Sequence, residues 1–201
     1  MSQTDSNYFV GAATIAAKLD YATKVAHQLS LTASNARALT LRAGQSAAGF
    51  RPLTDAIHRL SDITVSSSKK INAIAAQLSR MSVEKYRADS AIRYFDAVYE
   101  KSKDCRNISS LDTVYKRTQE QQKLLMIDYQ QRIQQLSQEL EAVEGELRSA
   151  VVLKTLCHVE ASQAGEQYKD ALDNVAENVE RISGTIKEQI VFSRQQVATL
   201  Q

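Results

Sequence analysis

This sequence predicts an all-α fold in which long antiparallel helical hairpins form an elongated four-helix bundle or coiled coil, and three observations predict it. Apolar residues recur at alternating steps of four and three along most of the chain, the period of a helical seam packed against other helices. The 201 residues include one Pro, no Trp and six Gly, too few breakers for the many short elements of a mixed α/β enzyme. At 43% apolar, the chain has enough hydrophobic side chains to bury a continuous core. Glycine-bearing stretches at 42–50 and 162–167 interrupt the seams, so the chain is expected to reverse direction at both.

The first helix carries its seam through Tyr8, Ala12, Ile15, Leu19, Ala22, Ala26, Leu29, Ala33 and Ala36. So many alanines imply closely packed helix axes. Helical patterning enters the stretch Asn35 to Phe50 and resumes at Pro52, with Gly44 and Gly49 as the permissive residues of a tight reversal. Pro52 suits the first turn of the returning helix, where a missing N–H is no loss.

The second helix continues through Leu53, Ile57, Leu60, Thr64, Ile71, Ile74, Leu78, Met81, Ala88, Ile92, Phe95 and Tyr99. No Gly or Pro interrupts it from 53 to 104, so its roughly fifty residues should span about 80 Å as a rod. Lys103 to Ser110 is the least helical segment and the expected connector between hairpins, dividing the chain into 1–104 and 105–201.

A third helix is expected to begin near Ser110, as N-cap, with Asp112 in its first turn. Its seam passes through Leu111, Leu125, Tyr129, Ile133, Leu136, Leu140, Val143, Leu147 and Val151, and becomes densely apolar at Val151-Val152-Leu153. After Gly165 a fourth seam follows Tyr168, Leu172, Val175, Val179, Ile182, Ile186, Ile190 and Val197. Gly145 and Gly184 lie inside these patterns and cost about 1 kcal/mol each, which a long helix tolerates. Two rival topologies exist: a turn at Gly145, or one continuous helix over 110–200.

The segment from Val25 to Leu60 resembles, without a gap, the hairpin tip of the cytoplasmic signalling domain of bacterial methyl-accepting chemotaxis receptors. Agreement falls at Ala26, Gln28, Leu31, Ala33, Asn35, Ala36, Arg42, Ala43, Gly44, Gly49, Phe50, Asp55 and Leu60. The most specific part is Arg42-Ala43-Gly44 followed five residues later by Gly49-Phe50. A shorter echo of the same tip sits at Val159-Glu160-Ala161-Ser162-Gln163-Ala164-Gly165-Glu166-Gln167. Gly44 and Gly165 are 121 residues apart, and their midpoint falls in the connector beside Cys105, so a tandem of two receptor-like hairpins is the simplest reading.

The resemblance implies a protein that acts through contacts at the tip. In that family the tip packs receptors together and meets a histidine kinase and its coupling adaptor. Carried over residue by residue, the expected interaction positions are Asn35, Arg42, Gly44, Gln45, Gly49 and Phe50, with Glu160, Gly165 and Glu166 at the second tip. This chain departs from the pattern at Leu39 and Gln45, where the family has Glu, at Ala48, where it has Arg, and at Pro52, where it has Val. These departures remove charge from the partner surface. The family's methylated Glu and Gln pairs have no convincing match, Thr118 to Gln122 being merely polar. One chain holding two hairpins could imitate one receptor dimer, and the same seams would also serve a homodimer.

Charge excludes other classes. The net charge of +2 comes from 25 basic and 23 acidic residues mixed along every helix, a solvated bundle face and no nucleic-acid footprint. The polar N-terminus and the short apolar runs predict neither a signal peptide nor a membrane span, hence a cytoplasmic protein without direct membrane insertion, and the resemblance implies a bacterial one. No catalytic constellation, phosphate loop or cofactor motif is found, and no enzyme is expected. Glu139, Glu141, Glu144 and Glu146 belong to a polar helix face. Cys105 and Cys157 are read as separate reduced thiols at opposite ends of the bundle. His158 follows Cys157 but diverges from it by about 100° around the helix, so the two are poorly placed for one metal. His27 and His58 are about equally distant from the turn, which could bring them together across the hairpin as a zinc pair, but each reads first as a surface or flanking residue. The rival to a chemosensory role is a structural coiled-coil or secretion-associated protein whose seams serve assembly. A helical protein that opens onto membranes fits less well, because its polar faces mix both charge signs.

Overall fold

The seams found in the sequence bury themselves against one another along four long helices. The computed structural model describes residues 3–102 and 107–199, with side chains described from residue 13 onward. Tyr8 and Ala12 therefore lie outside the described side chains, and Cys105 and the 104/105 boundary lie outside the described residues. The helices are α1 (Gln3–Ala43), α2 (Phe50–Lys101), α3 (Asp112–Gln163) and α4 (Glu166–Ala198). Short 3-10 turns at Gly44–Ala47 and Ile108–Leu111 precede α2 and α3, and there is no strand among the described residues. In the resulting ring, α1 packs on α2 and α4, and α3 packs on α2 and α4. At 52 residues each, α2 and α3 are about 78 Å long.

The core follows the four-three alternation closely. Ile15, Leu19, Ala22, Ala26, Leu29, Ala33 and Ala36 of α1 are fully buried, as are Ile57, Ile71 and Leu78 of α2. Leu136, Leu140 and Val143 of α3 and Leu172, Val179, Ile186 and Ile190 of α4 complete the interior. The alanine-rich seam does bring α1 and α2 close together. Ser61 Oγ on α2 donates a 2.8 Å hydrogen bond to the Ala26 carbonyl on α1, which requires the two backbones to approach within a serine side chain's reach. Across α3 and α4, Lys154 pairs with Glu180 at 2.6 Å and Arg194 with Glu144.

Both rival topologies are excluded. Helix α3 runs through Gly145 unbroken and ends at Gln163, and α4 starts at Glu166. Gly145 and Gly184 are ordinary helical residues with open space where a side chain would stand. At the start of α3 the expected Ser110 cap is replaced. A 3-10 turn leads into the helix, Leu111 occupies the cap position, and the Ser110 hydroxyl donates to the Asn107 carbonyl at 2.8 Å.

One stretch of the predicted seam is wrong in register. Val151 is 69% exposed and Val152 is exposed beside it, while Ala150, Leu153 and Cys157 are buried. The alternation that runs Tyr129, Ile133, Leu136, Leu140, Val143, Leu147 steps next by three, to Ala150, and continues through Cys157, Ala161 and Ala164. Geometry fixes the step, and the greater hydrophobicity of valine cannot move it. Val151→Gln should accordingly change stability by no more than about 0.5 kcal/mol in urea unfolding, as for a surface substitution. A loss of about 2 kcal/mol would put Val151 back in the core.

Candidate interaction tip

Each reversal is made by a glycine with a backbone that other residues avoid. Gly44 has φ of 64° and opens the 3-10 turn after α1, and Gly165 has φ of 85° and ψ of 152° between α3 and α4. The two turns differ in build. The first is a six-residue passage closed by hydrogen bonds from Ala48 N to Gln45 O and from Arg51 N to Ala48 O, both 3.2 Å. The second occupies only Ala164 and Gly165, whose carbonyl receives the amides of Tyr168 and Lys169.

Both turns lie at the same end of the bundle and touch. Helix α3 packs on the Gly44–Ala47 turn. The Tyr168 hydroxyl on α4 donates to the Arg42 carbonyl on α1 at 3.4 Å. Glu160 on α3 lies over Gly49, so closely that a methyl group at Gly49 would stand 1.9 Å from Glu160 Oε2. Gly49 itself has φ of −65° and ψ of −20°, right-handed helical values. The expectation that Gly49 supplies unusual backbone freedom is thus corrected: its lack of a side chain gives room to a carboxylate from the other hairpin.

The expected site residues divide into two groups. Asn35, Arg42, Gln45 and Glu166 are exposed and can meet a partner. Glu166, the first residue of α4, also sits favourably at the positive end of that helix. Phe50 is fully buried and among the largest buried side chains, so it anchors the start of α2 and offers no contact surface. Glu160 is half-buried against the first turn. Arg37 and Asp55 link α1 to α2 just below the tip at 3.5 Å, and with both side chains more than half exposed the pair adds well under about 1 kcal/mol.

Two apolar features of this end were not singled out from the sequence. Leu31 and Leu41 are exposed on α1, and Val152, Leu156 and Val159 form an exposed line on α3 at steps of four and three. A helical wheel drawn from the corrected seam would have revealed the α3 line, because it lies opposite Ala150 and Cys157.

The histidines and cysteine settle into ordinary roles. His58 has its ring nitrogens 3.2 Å from Ser30 Oγ and 3.4 Å from Ser34 Oγ, and His27 is exposed. His158 Nδ1 faces Asp173 Oδ1 on α4 at 2.8 Å, while Cys157 points into the core, where burial pushes its thiol up to about 12. Among the described residues no group of three or more His, Cys, Asp or Glu could hold a metal ion. Among the described residues no helix is long and apolar enough to cross a membrane. Among family models, curated proteins and solved structures, nothing matches this chain.

Proposed function

We propose that the chain is a non-enzymatic, chemoreceptor-like signalling or scaffold protein of a bacterial chemosensory system, working in the cytoplasm through protein contacts at its turn end. The observation that carries this reading is the meeting of both glycine turns at one end, where Gly49 and Glu160 interlock and Asn35, Arg42, Gln45 and Glu166 face outward. One chain thereby offers a two-hairpin tip of the kind that the resemblance leads one to expect from a receptor pair. Its partners would be receptors, the histidine kinase or the coupling adaptor. The chain would act as a non-sensing member of a receptor cluster, or as a competitor for the adaptor.

The test is capture of tagged protein from native lysate beside a variant carrying Asn35→Ala, Arg42→Ala and Gln45→Ala. All three positions are exposed, so the variant keeps the bundle. The expected result is recovery of a receptor, the kinase or the adaptor with the wild type and loss of at least tenfold with the variant. If neither form recovers any of them, the chemosensory reading fails. A structural coiled-coil role, with assembly along exposed apolar lines such as Val152, Leu156 and Val159, would then be favoured.

A further inference from the structure

At the end remote from the turns the packing changes. Buried residues stop at Ser82 in α2 and begin at Tyr129 in α3, so 83–101 and 112–128 form a stalk of two helices. The four-three alternation continues into it. Ala88, Ile92, Phe95 and Tyr99 extend the α2 seam, and Leu111, Tyr115 and Leu125 extend that of α3, yet all seven are only half-buried. Two helices cannot enclose a seam that four can.

The stalk has two unlike sides. One is tied across by polar contacts: Tyr99 to Asp112 and Tyr115 to Asp96, both 2.6 Å, and Gln122 of α3 to Asp89 of α2, which also pairs with Lys85 on its own helix at 2.9 Å. The acceptor Asp112 pushes the Tyr99 hydroxyl up to about 12. The other side holds an open groove lined by Glu84, Arg87, Ala88 and Ala91 of α2 and by Thr118, Gln121 and Leu125 of α3. Helical spacing continues this groove to Phe95 and Val98, and to Val114, four residues before Thr118. Val98 is 41% exposed and Val114 53%. Ala88, Ala91 and Thr118 keep the floor small, with Leu125, Val98 and Val114 flanking it and the charged Glu84 and Arg87 confined to the end nearer the bundle, so another pair of helices can approach closely over the rest.

We propose that this groove is a homodimer interface, in which the stalk of a second copy lies antiparallel across it, about a two-fold axis at Ala91. The occupant is a second copy because the groove is the open flank of the α2–α3 seam already packed in the bundle. A second stalk brings the two missing helices, with the same small-and-apolar pattern. Two-fold pairing makes such a patch complementary to itself. The antiparallel arrangement sets Ala91 against Ala91 and brings Ala88 of one copy to the level of the aromatic residues Tyr94 and Phe95 of the other, small against large. A stalk about 27 Å long and about 20 Å wide would bury about 1,000 Å² in total, near the lower bound of specific interfaces, the size class of weak, concentration-dependent association. The interface lies at the opposite end from the tip and does not rest on the chemosensory reading.

Light scattering on the full chain from about 1 to 200 µM should show the mass rising from 22.3 kDa toward twice that value. Ala91→Glu with Val98→Glu should hold the monomer mass throughout, with helicity and bundle unfolding otherwise kept. Lys116→Glu, on the polar side, should dimerise like the wild type. With Cys105→Ser in place, Ala91→Cys should give a disulfide-linked dimer under mild oxidation, while Val152→Cys should not. A wild type that stays monomeric over this range, or a dimer that persists in the double-glutamate variant, overturns the interface. A dimer that Ala91→Cys fails to cross-link overturns its antiparallel geometry.

Discussion

Phe50→Ala should lower the stability of the bundle by about 3–5 kcal/mol, read as a fall in the urea midpoint at unchanged slope. The side chain is fully buried, at the first residue of α2. It fills the core where the chain has just left the Gly44–Ala47 turn, and Ala47 beside it is also buried. Truncation would remove both the transfer free energy of the ring and the contacts of its neighbours, because a four-helix interior cannot close over a hole of that size without moving helix axes. Phe50→Leu should cost much less, since most of the volume remains. A loss under about 1 kcal/mol for Phe50→Ala would mean that the ring is not part of the packed interior. The result bears on function too. Any loss of partner binding in a Phe50 variant reports a disturbed turn, and for that reason the binding test uses only exposed positions.

Much of this architecture is legible in the sequence because heptad spacing is a geometric statement. Residues such as Leu19, Ala26, Leu136 and Ile186 recur at the helix period, and each is buried as that period requires. What spacing alone does not give is how many helices close around a seam. Ile92, Phe95 and Leu125 look like core positions in sequence and are half-buried, because only α2 and α3 extend that far. Nor does hydrophobicity fix the register locally, and Val151 against Ala150 is the instance: the more apolar residue faces water and the smaller one faces the core. At the tip, the sequence marks Gly44, Gly49 and Gly165 alike as turn residues. Only coordinates separate a glycine needed for its backbone from one needed for the space beside it. The Glu160 contact that explains Gly49 crosses from one hairpin to the other, and no local pattern announces it.

That separation makes the three glycines unequal under the same substitution, and Gly165→Ala should be the most damaging. Its φ of 85° with ψ of 152° lies in a region that is essentially closed to residues with a Cβ, at a cost of about 1–3 kcal/mol. The conformation joins α3 to α4 through only two residues, so the strain cannot spread along a loop. Gly44→Ala, at φ of 64°, should cost about 1–2 kcal/mol, and Gly44→Asn should recover part of that, since Asn tolerates left-handed backbone. Gly49→Ala should be close to neutral: its backbone is already helical, and the obstructing atoms are the far end of the Glu160 side chain, which can swing aside. Urea unfolding of the three alanine variants gives the order directly. An equal loss at Gly49 and Gly165 would refute the distinction drawn between space and backbone. Gly165→Ala has a second consequence, because the alanine favours continuing α3 into α4 as a single helix. Relief of the strain by that route would separate the two turns and lengthen the particle in small-angle scattering. The glycine that most resists replacement is therefore also the one that keeps both turns at one end, where Tyr168 reaches Arg42 and Glu160 rests on Gly49.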